Sequence, residues 1–184
     1  MTSLAQPRAL FLDRDGVINI DHGYVHRKDQ VDFVEGIFDV CRHACSLDYY
    51  IIVVTNQAGI GRGYYSQLDF EELMIWMKDI FAEQGCPMTD IYWCPYHPTA
   101  GVGHYRRDSF WRKPKPGMIL AAANRYSLEL KKCVLIGDKI SDLEAGKTAG
   151  VGHNILYKSS VLGDSKGDAS VNTIYYLVDA INYL

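Results

Sequence analysis

The 184-residue sequence predicts an α/β fold, a mainly parallel central sheet between layers of helix. Short apolar runs alternate along the chain with longer stretches of helical period, the pattern of strands joined by crossover helices. Three of those runs end in unusual polar clusters: Asp13-Arg14-Asp15-Gly16, Thr55-Asn56-Gln57 and Gly137-Asp138. Crossovers of one hand leave the carboxyl ends of parallel strands along one edge, so the three clusters are expected to meet in one crevice.

The elements follow in order. Arg8 to Leu12 is too short for a helix and continuously apolar, as a strand covered on both faces must be. Asn19 to Phe33 mixes polar and aromatic residues without period and reads as a loop over the strand end. Glu35 to Leu47 places Ile37, Val40, Cys41, Ala44 and Cys45 on one stripe and predicts a helix. Tyr50 to Val54 predicts the second strand, and Gly59 to Gly63 a glycine-bearing loop. Ser66 is the expected N-cap of a helix to about Glu83, with Phe70, Leu73, Met74, Met77 and Phe81 facing the core. Ile91 to Cys94 is a third strand, followed by a loop to Pro116 and a helix from Met118 to Tyr126. Cys133 to Ile136 is the fourth strand, Leu143 to Ala149 a helix capped by Ser141 or Asp142, and Val151 to Tyr157 the fifth strand. Lys158 to Asp168 reads as loop and Thr173 to Leu184 as a terminal helix.

Length and composition bound the function. A chain of this size fills one core, so residues 1–184 are expected to form a single domain. A net charge of -3 gives no basic face for nucleic acid. No run approaches a membrane span and no signal peptide is evident, so a cytoplasmic monomer is expected. Five cysteines, Cys41, Cys45, Cys86, Cys94 and Cys133, lack a disulfide framework and read as reduced thiols.

Asp13, Asp15, Asp138 and Asp142 in one crevice would repel without a cation, and oxygen-only donors favour magnesium over zinc. Arg112 and Lys113 bring positive charge to that acidic site. A metal, a hydroxyl and a lysine suit phosphoryl transfer, where catalysis is mostly positioning and charge neutralisation. Asp142 serves equally well as a helix cap. For Asp13 and Asp15 together, capping is the weaker account, because two adjacent-but-one carboxylates at a buried strand end do little for stability.

Asp13-x-Asp15-Gly16, Thr55-Asn56, Lys113 and Gly137-Asp138-x-x-x-Asp142 resemble the four ordered motifs of the haloacid dehalogenase (HAD-like) phosphatases. Leu12 to Asn19, Asp21 to Tyr24, Val54 to Gly63 and Arg112-Lys113-Pro114 resemble, within them, the subgroup of heptose bisphosphate and histidinol-phosphate phosphatases. The resemblance implies a Rossmann-like three-layer α/β/α sandwich without a large cap domain. It implies Asp13 as nucleophile, Asp15 as general acid and base, and Mg2+ on Asp13, the Asp15 main-chain carbonyl and Asp138, with Lys139 and Asp142 adjacent. Thr55 and Asn56 would bind the transferring phosphoryl group with Lys113 as charge partner. Asp21, His22, Gly23, Tyr24, Gln57, Ala58 and Arg112 would contact a phosphorylated sugar, with Arg112 holding a second phosphate. The implied activity removes the 7-phosphate of a heptose 1,7-bisphosphate; a histidinol-phosphate phosphatase, a general phosphomonoesterase and a non-catalytic phosphosugar binder are the alternatives.

The sequence departs from the subgroup in one loop. The usual zinc ligands fall on Cys94, Tyr96, Ser109 and Trp111, so one of four survives and no zinc is expected. His97 and His104 lie nearby without a second thiolate. Packing of Trp93, Tyr96, Tyr105, Phe110 and Trp111 is the expected substitute.

Overall fold

The computed structural model describes residues 6–159 and 172–184. Among these residues six strands form one parallel sheet: β1 (Arg8–Leu12), β2 (Tyr49–Asn56), β3 (Asp90–Cys94), β4 (Val134–Gly137), β5 (His153–Tyr157) and β6 (Asn172–Ile174), in the order β3-β2-β1-β4-β5-β6. The helices are α1 (Ile37–Ser46), α2 (Ala58–Gly61), α3 (Gln67–Glu83), α4 (Gly117–Tyr126) and α5 (Ile140–Ala149).

Side-chain alternation in the strands builds two cores. Leu10, Leu12, Ile51, Val53 and Ile136 face Ile37, Val40 and Cys41 of α1 and Phe70, Leu73 and Met77 of α3. Ala9, Phe11, Ile52, Val54 and Leu135 face Met118, Ile119 and Ala122 of α4 and Leu143 of α5. Burial on both faces is why the central strands read as continuous apolar runs. The result is the three-layer α/β/α sandwich, with the strand order reversing between β1 and β4. Asp13, Asn56 and Asp138 stand at the carboxyl ends of β1, β2 and β4, at that reversal. The Asp13 N–H donates to Ile136 O (3.0 Å), which carries the β1–β4 pairing up to the first carboxylate.

Several boundaries differ from expectation. Ser66 caps α3, its Oγ accepting from Asp69 N–H (3.1 Å) while Asp69 Oδ2 accepts from Ser66 N–H (2.7 Å). α5 instead begins at Ile140, before Ser141 and Asp142. Asp142 lies inside the first turn, where its Oδ2 accepts from Lys139 N–H (3.0 Å). The expected loop after β2 contains the short helix α2. The expected terminal helix from Thr173 is shorter: Asn172–Ile174 pairs with β5, and the helix, of 3-10 type, runs only from Leu177 to Tyr183, against α1. A three-residue strand carries too little period to announce itself, and its pairing is long-range. Most of the loop expected from Lys158 to Asp168 lies outside the described residues.

Candidate active site

At the end of β1 the chain turns sharply. Gly16 has φ +92°, and a Cβ there would fall 2.5 Å from Asp138 Cγ, so only glycine lets the Asp138 carboxylate approach this turn. Arg14 O accepts from the N–H groups of Ile18 (2.8 Å) and Asn19 (3.1 Å), closing the turn. Residues 20–32 then fold back as a loop whose neck is pinned by Ile20 N–H to Asp32 O (2.8 Å).

The centre of the site is Lys113, 3% exposed. Its Nζ meets Asp13 Oδ1 (2.9 Å), Asp142 Oδ1 (2.7 Å) and Val54 O (2.9 Å). Asn56 seats the lysine: its Oδ1 accepts from Lys113 N–H (3.1 Å) and its Nδ2 donates to Lys113 O (3.1 Å). Both ends of the Asn56 carboxamide therefore face the lysine's backbone rather than open space. Thr55 is buried, with Oγ1 accepting from Gln57 Nε2 (2.9 Å).

The carboxylates crowd. Asp13, Asp138 and Asp142 each offer an oxygen within 4.8 Å of the others. Burial holds the Asp13 carboxyl above the usual carboxylate range although Lys113 draws it down, and the Asp142 charge adds to the rise. Burial, then the Asp13 charge, pushes Asp138 up to about 7. Burial alone would lower Lys113, but Asp13 and Asp142 more than offset it and hold the ammonium charged. Lys139, 56% exposed, reaches Asp21 (3.3 Å) and Asp138 (3.5 Å). A divalent cation fits this arrangement: the donors are all oxygens, and Asp138 Oδ1 is buried with no hydrogen-bond partner. Asp142 is the weaker donor, because Lys113 and Lys139 N–H already engage it.

Asp15 turns away from that cluster. Its carboxylate is held by Arg14, by Asn19 Nδ2 (3.1 Å) and by Gln57 Nε2 (3.1 Å), and Tyr65 OH anchors Gln57 Oε1 (2.5 Å). In the loop, Asp21 Oδ1 accepts from Gly23 N–H (3.0 Å), His22 pairs with Asp32 (2.7 Å), and Tyr24 is exposed at φ 56°. Ala58 opens α2 beside Gln57.

The altered loop is held by polar turns as well as by aromatic residues. His97 Nδ1 accepts from Ala100 N–H (3.0 Å), Lys115 pairs with Asp108, and Arg107 covers the Tyr96 ring at 3.8 Å. Of the five aromatic residues expected to pack here, Trp93 and Tyr105 pack against one core and Tyr96 against the other, with Tyr96 and Tyr105 at 6.0 Å, while Phe110 and Trp111 are exposed. Cys94 is a buried free thiol. Arg112 Nη1 donates to Tyr96 O (3.1 Å). Arg62, which the sequence reading did not single out, donates to Tyr24 OH (2.8 Å), and its charge adds to the burial that depresses Arg112. Burial, then the Arg112 and Arg62 charges, lower His97 and favour its neutral form. Arg62 and Arg112 thus form a basic pair opposite in sign to the Asp13 cluster; the Gly61-Arg62-Gly63 triplet was the only hint of it in the sequence.

A parallel sheet carrying this carboxylate and lysine constellation at its switch point defines a HAD-like hydrolase. A family model described as HAD-hydrolase-like matches residues 110–182. The chain is 56% identical over 149 residues, 81% of its length and 79% of the relative's, to D-glycero-alpha-D-manno-heptose-1,7-bisphosphate 7-phosphatase of Burkholderia mallei. It is 41% identical over 171 residues, 93% of its length and 91% of the relative's, to D-glycero-beta-D-manno-heptose-1,7-bisphosphate 7-phosphatase of Vibrio cholerae. The crystal structure of D,D-heptose 1,7-bisphosphate phosphatase from B. bronchiseptica, complexed with magnesium and phosphate, superposes with a TM-score of 0.79 at 26% identity, over 95% of this chain and 96% of that one. The chain belongs to the heptose 1,7-bisphosphate 7-phosphatase family of HAD-like phosphatases, which are phosphoric monoester hydrolases. Among the described residues no helix is long and apolar enough to cross a membrane.

Proposed function

We propose that this protein is a magnesium-dependent phosphatase that releases the 7-phosphate of D-glycero-D-manno-heptose 1,7-bisphosphate through an aspartyl-phosphate. The observation that carries the reading is the pairing of opposite fields: Asp13, held by Lys113 at 2.9 Å, in an acidic cluster, and a separate basic group of Arg62 and Arg112. A substrate with a phosphate at each end of a sugar suits both.

Asp13 attacks phosphorus; the bond to the sugar oxygen breaks, and that oxygen takes a proton from Asp15. Water then attacks the phosphorus, giving its proton to Asp15, and the bond to Asp13 breaks to release inorganic phosphate. Lys113 stays charged beside Asp13 and offsets the negative charge brought by the phosphoryl group. Asp13, Asp138 and the Asp15 main-chain carbonyl would hold Mg2+, which supplies charge neutralisation when bound. Arg112 holds the second phosphate through its guanidinium fork, with Arg62 adding to the field. Residues 21–24 face the sugar, and Lys139 stands beside the cation site, 3.5 Å from Asp138.

Asp13→Asn should abolish phosphate release while the protein still folds, and retained turnover refutes the nucleophile. A comparison of kcat/KM across both anomers of the bisphosphate, histidinol phosphate and sugar monophosphates tests the substrate. The relative with the higher identity is named for the α anomer, so that anomer is the first to test. A preference for histidinol phosphate refutes the bisphosphate reading, because the basic group would meet a cationic amine.

A further inference from the structure

Arg14 takes no part in the reaction above, yet it is 0% exposed. Its Nε donates to Asp15 Oδ1 (3.0 Å), and its Nη2 donates to Asp15 Oδ1 (2.7 Å), Asp15 Oδ2 (2.6 Å) and Val25 O (2.7 Å). The guanidinium carbon lies 5.6 Å from the centre of the buried Phe70 ring. Burying a guanidinium costs several kcal/mol before pairing, and apolar side chains in place of both members of such a pair are often as stable or more so. Fold stability is therefore a poor account of Arg14.

The geometry supplies a better one. Arg14, Asn19 and Gln57 together occupy both oxygens of Asp15 and set the carboxylate on the Gln57 and Tyr65 side of the turn. Through Val25 O the same guanidinium grips the far limb of the loop that carries Asp21 to Tyr24. A lysine at this place would present a point charge; the planar fork of arginine fixes direction as well.

We propose that Arg14 is the positioning residue for Asp15, and that it joins the placement of that carboxylate to the loop that receives the sugar. The proposal rests on Asp15 being the acid and base of the reaction. In the first step Asp15 protonates the oxygen leaving phosphorus as Asp13 bonds to it; in the second it takes the proton of the attacking water as the Asp13 bond breaks. Arg14 touches neither substrate nor phosphorus and acts through the direction it imposes on Asp15.

Leaving-group dependence separates this role from a structural one. With Arg14→Gln, kcat on a sugar phosphate should fall about 100-fold, the low end for general acid–base catalysis, with KM within about twofold. With p-nitrophenyl phosphate, whose leaving group needs no proton, a burst of nitrophenolate should precede slowed turnover. Arg14→Gln added to Asp15→Asn should cost nothing further. Equal losses on both substrates without a burst, or multiplied losses in the double variant, overturn the proposal. If Arg14→Gln does not fold, Arg14→Lys is measured in the same way, and wild-type kcat in it overturns the need for the fork. Full activity of Asp15→Asn alone removes the acid–base reading and this proposal with it. A dead Asp15→Asn beside an unaffected Arg14→Gln removes only the role of Arg14.

Discussion

Replacing Lys113 by methionine removes one cation from between two carboxylates. The Lys113 side chain is 2% exposed, as is that of Asp142, and its ammonium lies 2.9 Å from Asp13 and 2.7 Å from Asp142. Breaking a buried pair by removing one partner costs about 3–5 kcal/mol, because the remaining charge has no compensation. For a chain of this length each kcal/mol lowers Tm by roughly 2–4 °C, so a fall of about 6–20 °C is expected. The loss should depend on pH. Burial already holds the Asp13 carboxyl above its ordinary range with Lys113 present, and without the lysine it rises further. A folded-state pKa above the unfolded one means that the folded state binds the proton more tightly. The penalty is then absent below the unfolded pKa and grows as pH rises toward the folded value. Thermal unfolding followed by circular dichroism from pH 5 to 8, with EDTA present to exclude cations, should show the gap between wild type and Lys113→Met widening with pH. A wild-type Tm, or a gap that does not change with pH, refutes the reasoning that Lys113 is the charge partner of this cluster.

Gly16→Ala places a Cβ 2.5 Å from Asp138 Cγ on a backbone with φ +92°, so it should displace that carboxylate; the Mg2+ concentration for half-maximal activity should rise about 10-fold or more, and an unchanged requirement refutes the close-approach account. Burial and the Asp13 charge raise Asp138 to about 7, so in EDTA the stability it contributes is lost as pH climbs from about 4 to 7; the Tm gain on adding Mg2+ should be small at pH 5.5 and large at pH 8, and a pH-independent gain counts against Asp138 as a ligand. Arg112→Ala should lower kcat/KM for the bisphosphate roughly 10- to 100-fold, the worth of a charge-assisted contact, while p-nitrophenyl phosphate, lacking a second phosphate, is hydrolysed nearly as before.

Much of the fold was legible because burial leaves a period in the sequence. The runs at Arg8 and Tyr50 are apolar throughout since both faces of β1 and β2 are covered, and α3 shows its core face at Phe70, Leu73, Met74 and Met77 behind the Ser66 cap. β6 was misread as the start of the terminal helix, because a three-residue edge strand is defined by its partner rather than by its own residues. The start of α5 was misplaced for a related reason: Asp142 has the chemistry of a cap, but its carboxylate accepts from Lys139 N–H from within the first turn while its other oxygen binds Lys113.

The candidate site divides along the same line. Sequence alone determined that Asp13, Thr55 and Asp138 converge, since polar groups at the carboxyl ends of parallel strands meet at one edge whatever the loops do. It also led to the expectation of a cation at the acidic cluster. Only the tertiary structure decided how the partners are shared: Lys113 lies between Asp13 and Asp142, Asn56 holds the lysine's backbone, and Gln57 and Arg14 hold Asp15. It alone brought Arg62 to Arg112, fifty residues apart in the chain. Strand order fixes where a side chain starts, but its partner depends on distances of about 3 Å, and those are set by loops and turns whose residues carry no period to read.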